Sequence, residues 1–325
     1  MTEHTGPDPS PQTDKNSGGV LLFLPFRQLP ENPEELFERL TEVSGIHAGD
    51  LRYKLVGLGL KRFTPQMPLQ KQKDTADEMK DLGIPAAVIP EKAVKGRFSL
   101  PLARRVEITD SRIVFFNRHD EAVCTVDDSA DLLVIAADLS GRAVESPFIA
   151  PGVDAQAPVR TFAEALQKIS VAQPAAVIYG LGTDAPTGVL IDHDLFSYPS
   201  MNNYMDLSAS VNFRTLITET VDRAKSAVTD HQFGAADIAG AKPDFDQSKR
   251  EVLATLGRYT RFLIAAADAG LLVSEGATAA DDGYAKAMGK DPEEMDAASG
   301  QSRGSDLPEP PPGIDRSGIT ARIFA

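Results

Sequence analysis

Apolar residues recur along this chain with two periods, and the changes of period divide it. Val20 to Leu24 is an unbroken apolar run of strand length, which predicts a buried strand. Asn32-Pro33-Glu34-Glu35 follows, with a cap residue, Pro in the first helical position and acids in the first turn, where the helix dipole favours them. Leu36, Phe37, Leu40 and Val43 then recur at helical spacing, so one face of this helix is apolar, and Ser44-Gly45 ends it. A second, short helix is predicted from Gly49 to Val56, with Leu51 and Leu55 inward, and a strand near Leu58 to Phe63. Asp74 or Thr75 caps a third helix carrying Ala76, Met79 and Leu82, with Glu78 placed for a capping box and Gly83 as the stop. Ala86 to Ile89, bounded by Pro85 and Pro90, predicts another strand.

Beyond residue 100 the period becomes two. Val106 and Ile108 alternate with polar residues, Asp110-Ser111 turns, Arg112 to Phe116 is a strand, and Asn117 to Glu121 turns again. Ala122 to Val126 and Leu132 to Ala137 then complete an antiparallel meander. A helix from Phe162 to Ile169 lies in an insertion, Gly141 to Gln173, ahead of strands at Ala175 to Tyr179 and Val189 to His193. Val211 to Val228 reads as a helix with Phe213, Leu216, Ile217, Val221, Ala224 and Val228 on one stripe. The last helix, from Gln247 to Ala269, aligns Val252, Leu256, Tyr259, Leu263 and Ala267, a stripe that suits either closure of the core or a helix-mediated homo-oligomer.

The ends are of another kind. Residues 1–19 hold Pro, Gly, Ser, Thr and Asp with almost no apolar mass, which cannot offset the entropy of ordering. The same holds for 274–325, where Asp281-Asp282 and Leu307-Pro-Glu-Pro-Pro-Pro-Gly favour a solvated backbone. Ile319, Ile323 and Phe324 return apolar character at the very end; a docking peptide and chance at a chain end are equally good readings of them. The expected organisation is α+β throughout. Residues 1–19 are disordered, 20–91 form a small α/β module, and 92–230 form an antiparallel β module with a helical insertion and a closing helix. Residues 231–246 are a linker, 247–273 a long amphipathic helix, and 274–325 an acidic disordered tail.

Two stretches resemble known families. The order strand, helix, short helix, strand, helix, strand over about residues 20–90 is similar to the C-terminal domain of bacterial ribosomal protein L7/L12. Val43-Ser-Gly-Ile-His-Ala-Gly-Asp-Leu-Arg-Tyr-Lys-Leu-Val-Gly matches its two-helix turn, and Ala76 to Ile89 its last helix and strand. That resemblance implies recruitment of a protein partner, which in the ribosomal family is a translational GTPase bound through basic residues of the turn. Here the turn holds His47, Ala48, Gly49 and Asp50 instead. Ile108-Thr-Asp-Ser-Arg-Ile-Val-Phe-Phe resembles the strand-turn-strand of bacterial pleckstrin-homology and GRAM-like modules, which implies a β module over about 100–228 and, in lipid-binding members, recognition of anionic headgroups.

Charge sharpens the picture. The 47 acids and 33 bases give a formal net charge of -14, which disfavours unaided binding to phosphate-rich surfaces. Residues 52–118, however, hold 14 bases and seven acids, a local excess of +7. Arg97, Arg104, Arg105, Arg112 and Arg118 on adjoining strands would make a basic face able to bind anionic lipid, nucleic acid or acidic peptide, and the acidic tail is tethered close enough to mask it. Ordinary solvated surface, paired with Glu107 and Asp110, is the plainer reading.

Few residues suggest chemistry. The single cysteine, Cys124, excludes intrachain disulfides and multi-cysteine zinc frameworks, and its apolar neighbours make it a small core residue. Phosphate-cradling and nucleophile-elbow motifs are lacking; Gly180-Leu-Gly182 is followed by Pro186 and a strand rather than a helix. Asp192-His193-Asp194 holds metal- and proton-binding groups, but alternation on a strand sends the imidazole to the face opposite the carboxylates, so polar residues at a strand rim are the better account. Arg118-His119-Asp120 reads as a hairpin turn. No cofactor, metal or catalytic residue is expected. The expected role is a non-catalytic adaptor or scaffold for a protein partner; the alternatives are anionic-lipid or nucleic-acid binding through the basic face, and a metal-dependent enzyme using Asp192, His193 and Asp194. With no basic-then-apolar leader at Met1 and no apolar run long enough for a bilayer, a cytoplasmic location is expected.

Overall fold

The computed structural model describes residues 18–30, 32–64, 66–96, 98–140, 162–169, 173–182, 188–235, 238 and 247–272. The expectations for residues 1–17, most of the 231–246 linker and the 273–325 tail, including its terminal docking segment, lie outside the described residues, as does Arg97.

The chain is α+β. Its first layer runs β1 (Gly19–Phe23), α1 (Glu34–Ser44), α2 (Ala48–Lys54), β2 (Lys61–Arg62), α3 (Leu69–Asp81) and β3 (Ala86–Pro90), the order of elements that periodicity predicts. β1 is the central strand, antiparallel to both neighbours, with Val20 opposite Ile89 and Leu22 opposite Arg62. Strand alternation splits it between two cores. Leu21 and Phe23 pack with Leu36, Leu40 and Met79 beneath α1 and α3, whereas Val20 and Leu22 join Tyr259, Leu263 and the large sheet on the other side.

After the short α4 (Glu91–Val94) come β4 (Leu102–Ala103) and three meander strands, β5 (Arg105–Ile108), β6 (Arg112–Phe116) and β7 (Ala122–Asp127). The large sheet is completed by β8 (Asp131–Asp138), β9 (Pro174–Gly180), β10 (Gly188–Asp192) and β11 (Ser226–Asp230), in the order β11-β8-β9-β10-β4. α5 (Phe162–Ile169) and α6 (Ala209–Arg223) cover one of its faces together with the meander; α7 (Lys249–Asp268) covers the other. Among the described residues no helix is long and apolar enough to cross a membrane.

Several elements differ from their expected form. β8 does not extend the meander: it pairs antiparallel with β9 and parallel with β11. Its residues from Leu132 to Asp138 are all buried, which is the pattern of a central strand with both faces covered. The helix expected to reach Val228 stops at Arg223, and Ala224 and Val228 leave its stripe because residues 226–230 form β11. The short mixed segment Ser226-Ala-Val-Thr-Asp230 is too brief for its period to choose, and pairing with β8 decides. α3 begins after Pro68, so Asp74 and Thr75 are interior rather than caps. Its first turn is polar, yet Gln72 is buried because its amide donates to the Met67 carbonyl at 2.7 Å. Glu78 pairs with Arg39 of α1 at 2.6 Å instead of closing a capping box. α1 starts one residue late, with Pro33 itself at the N-cap position. α7 carries a true capping box: the Glu251 carboxylate accepts from the Ser248 N–H at 2.8 Å. Its apolar stripe, Val252, Leu256, Tyr259 and Leu263, is spent on the core.

Candidate functional site

Three places gather polar or charged groups. The first is the meander, where the basic residues lie. Arg105 of β5 lies with its guanidinium carbon 3.8 Å from the Phe116 ring centroid and pairs with Glu107 and Asp120, each at 2.7 Å. The Asp120 hydrogen bond, then that of Glu107, raises its pKa further. Arg104, one residue earlier, donates to the Leu195 carbonyl at 3.0 Å. Arg118 lies in the hairpin turn, where its Nε is 2.9 Å from His119 Nε2 and where Asp120 adopts a positive φ of 60°. Arg112 opens β6 opposite Asp127, four residues and so roughly 13 Å from the Phe116 end. The four described arginines therefore sit at two ends of the meander, with acids between or against them.

The second place is the end of β10. Asp192 is the last residue of the strand and His193–Leu195 form a 3-10 turn, capped by the Asp192 side chain accepting from the Asp194 N–H. The turn brings both carboxylates to the same cation: Lys249 Nζ, at the start of α7, lies 2.9 Å from Asp192 Oδ1 and 2.9 Å from Asp194 Oδ2. Hydrogen bonding from Lys249 holds the Asp194 carboxyl below its ordinary range. For Lys249, burial works against the charge, but the bonds to Asp194 and Asp192 raise its pKa on balance. The imidazole of His193 packs against the rings of Tyr198 and Phe213, with its Nδ1 3.5 Å from Asp194 Oδ1. Because β10 ends at Asp192, strand alternation does not govern His193, and the expected separation of the imidazole from both carboxylates fails at Asp194. The site is an ion triad of two carboxylates on one ammonium, and among the described residues no three His, Cys, Asp or Glu side chains are grouped to hold a metal ion.

The third place was not singled out by sequence. α1 and α2 diverge from the Ser44–His47 connection, where Gly45 has φ 68° and the His47 ring accepts from the Gly49 N–H. They leave a groove of about 530 Å³ with Phe37 and Ala48 in its floor. Glu34, Glu38 and Glu42 line one wall, four residues apart and exposed. None of the three forms an ion pair among the described residues, although Arg52 of α2 stacks over Phe37 at 5.9 Å. Thr41 Oγ1, also lining the groove, is buried without a hydrogen-bond partner. The i, i+4 spacing of like charges was legible in the sequence, but only the splay of α2 makes it the wall of a groove.

Cys124 is buried on the inner face of β7 opposite Phe115, as a core residue. The Gly180-Leu-Gly182 stretch ends β9, and the next described element is the strand β10. Compared with known proteins, the chain matches no protein family, no curated protein and no solved structure.

Proposed function

We propose that this chain is a non-catalytic adaptor whose α1–α2 groove holds a basic, amphipathic helical segment of a protein partner. The observation that carries this reading is the unpaired acidic wall. Glu34, Glu38 and Glu42 face solvent on one line of α1. Like charges at i and i+4 destabilise a helix by about 0.2–0.5 kcal/mol per pair. Glu34 gains from the helix N-terminus, but Glu42 lies near the C-terminal end, where the dipole opposes it and no basic residue compensates. Beyond Glu34, the charges of this wall work against α1. A partner helix presenting Lys or Arg at the same spacing, with Leu or Met against Phe37 and Ala48, neutralises the wall and covers the floor. The partner is thus opposite in charge to one that a basic two-helix turn would recruit.

The test is fluorescence anisotropy with a labelled amphipathic peptide carrying Lys at every fourth position, beside a scrambled peptide of equal composition. Binding of the ordered peptide at least tenfold tighter than the scrambled one, weakened at least tenfold by Glu38→Lys with Glu42→Lys, is expected. Equal affinity for both peptides, or for both proteins, would exclude the groove.

A further inference from the structure

A second concave surface lies between α7 and the large sheet. It has a volume of about 700 Å³, within the range of about 300–1,000 Å³ that small-molecule sites occupy. Leu253 and Leu256 of α7, Val177 and Leu190 of the sheet, and Phe98 with Leu100 of the segment before β4 make its walls apolar. The segment is held against α7 closely. A Cβ on Gly257 would stand 2.6 Å from the Phe98 carbonyl oxygen, so glycine is what lets backbone meet helix there. Arg261 ties the preceding turn down by donating to the Ala93 carbonyl at 2.7 Å.

Charge in this cleft runs against the chain as a whole. The protein carries a formal charge of -14, yet the lining contains Arg250 and Arg258 and no Asp or Glu. Both arginines occupy exposed positions of α7, eight residues and so about 12 Å apart along one stripe of the helix. Beyond Phe98, which borders both spaces, lies a smaller cleft of about 310 Å³ lined by Tyr179, Ile264, Arg261 and Asp268. The lining is therefore apolar between its charged ends, with two arginines at the Arg250 end and opposite charges, Arg261 and Asp268, at the other.

We propose that this cleft binds a free long-chain carboxylate, with its head between Arg250 and Arg258 and its chain running along Leu253 and Phe98 towards Ile264. Guanidinium groups recognise carboxylate oxygens through paired N–H donors, and at the other end Arg261 is turned to the Ala93 and Lys92 carbonyls with Asp268 beside it in the lining, which leaves the Arg250 end favoured for the head. Phe98, Leu100 and Leu190 are only partly buried, and a chain laid on them removes that apolar surface from water.

Isothermal titration of the full chain with octanoate, decanoate and dodecanoate, below their micellar concentrations, tests the assignment. Burial of about 0.8 kcal/mol per methylene corresponds to about fourfold tighter binding for each carbon added. Dodecanol, which lacks the charge, is expected to bind at least tenfold more weakly than dodecanoate, as is dodecanoate to the Arg250→Glu variant. Ala254 lines the cleft at an exposed helix position, so Ala254→Phe narrows the track without touching the core; it is expected to remove binding while circular dichroism and thermal midpoint stay unchanged. No heat with dodecanoate, equal affinity for dodecanol, tighter binding of dodecyl phosphate than of dodecanoate, or wild-type affinity in Ala254→Phe would each overturn the proposal.

Discussion

Replacing Asp230 by Asn removes one half of a pair of titrations that oppose each other. Asp230 ends β11, the edge strand, and its carboxylate turns inward to accept from the buried Tyr259 hydroxyl at 2.9 Å and from the Gln232 N–H at 3.1 Å. Burial pushes its pKa from 3.8 up to about 6, against the pull of those two hydrogen bonds. His231 follows directly. Its ring meets Phe162 and Gln232, and burial, with Arg27 nearby, pushes its pKa from 6.5 down to about 4. The folded state therefore takes up a proton on Asp230 more readily than the unfolded chain does, and on His231 less readily. The stability that Asp230 contributes is complete below pH 3.8 and is lost as the pH rises through 6. The stability that neutral His231 contributes is complete above pH 6.5 and is lost as the pH falls towards 4.

Linkage converts these values to free energy. Between pH 7.5 and 5, Asp230 adds about 1.4 kcal/mol and His231 removes about 2 kcal/mol, so the two largely cancel in the natural protein. Asp230→Asn leaves the His231 loss uncompensated. Urea unfolding followed by circular dichroism at pH 5, 6 and 7.5 should show the natural protein gaining about 1.4 kcal/mol on the variant from pH 7.5 to 5. His231→Gln should move the other way and gain about 2 kcal/mol on the natural protein across the same interval. Difference curves that stay parallel with pH for both variants would refute the reasoning, because they would mean that neither group changes its proton affinity on folding.

Two further substitutions probe the scaffold. Lys249→Met leaves the buried Asp192 carboxylate without its cation and is expected to cost about 3 kcal/mol, of which adding Asp192→Asn recovers the greater part; a double-mutant cycle in urea reads the coupling, and additive costs would show that the triad is not an energetic unit. Gly257→Ala should destabilise by about 1–3 kcal/mol in the same assay although Ala favours a helix by about 1 kcal/mol, because the Phe98 carbonyl at 2.6 Å must give way, and a more stable variant would show the segment to be loosely held.

Local pattern determined a good deal of this protein. The apolar run Val20 to Leu24, the Leu36–Phe37–Leu40 face and the α7 stripe each declared an element, because burial of one face is enough to choose between a period of 2.0 and one of 3.6. Their order yielded the α+β class, whereas the expected separation of His193 from both carboxylates failed because the strand ends at Asp192 and a 3-10 turn begins. What the pattern did not hold was partnership between elements distant in sequence. β8 pairs with β9 and β11 rather than with β7, and that pairing turns the end of an expected helix into a strand. Polar residues also mislead: Gln72 at the start of α3 is buried with its amide donating to the Met67 carbonyl while its Oε1 has no partner. The site-level features depend most on assembly. Asp192 and Asp194 become one site only because the start of α7, some 55 residues later, delivers Lys249, and the Glu34–Glu38–Glu42 line becomes a wall only because α2 turns away from it. A residue's period is a property of its neighbours in the chain; the cleft, the groove and the shifted pKa values are properties of surfaces that the chain makes only when its ends of contact have met.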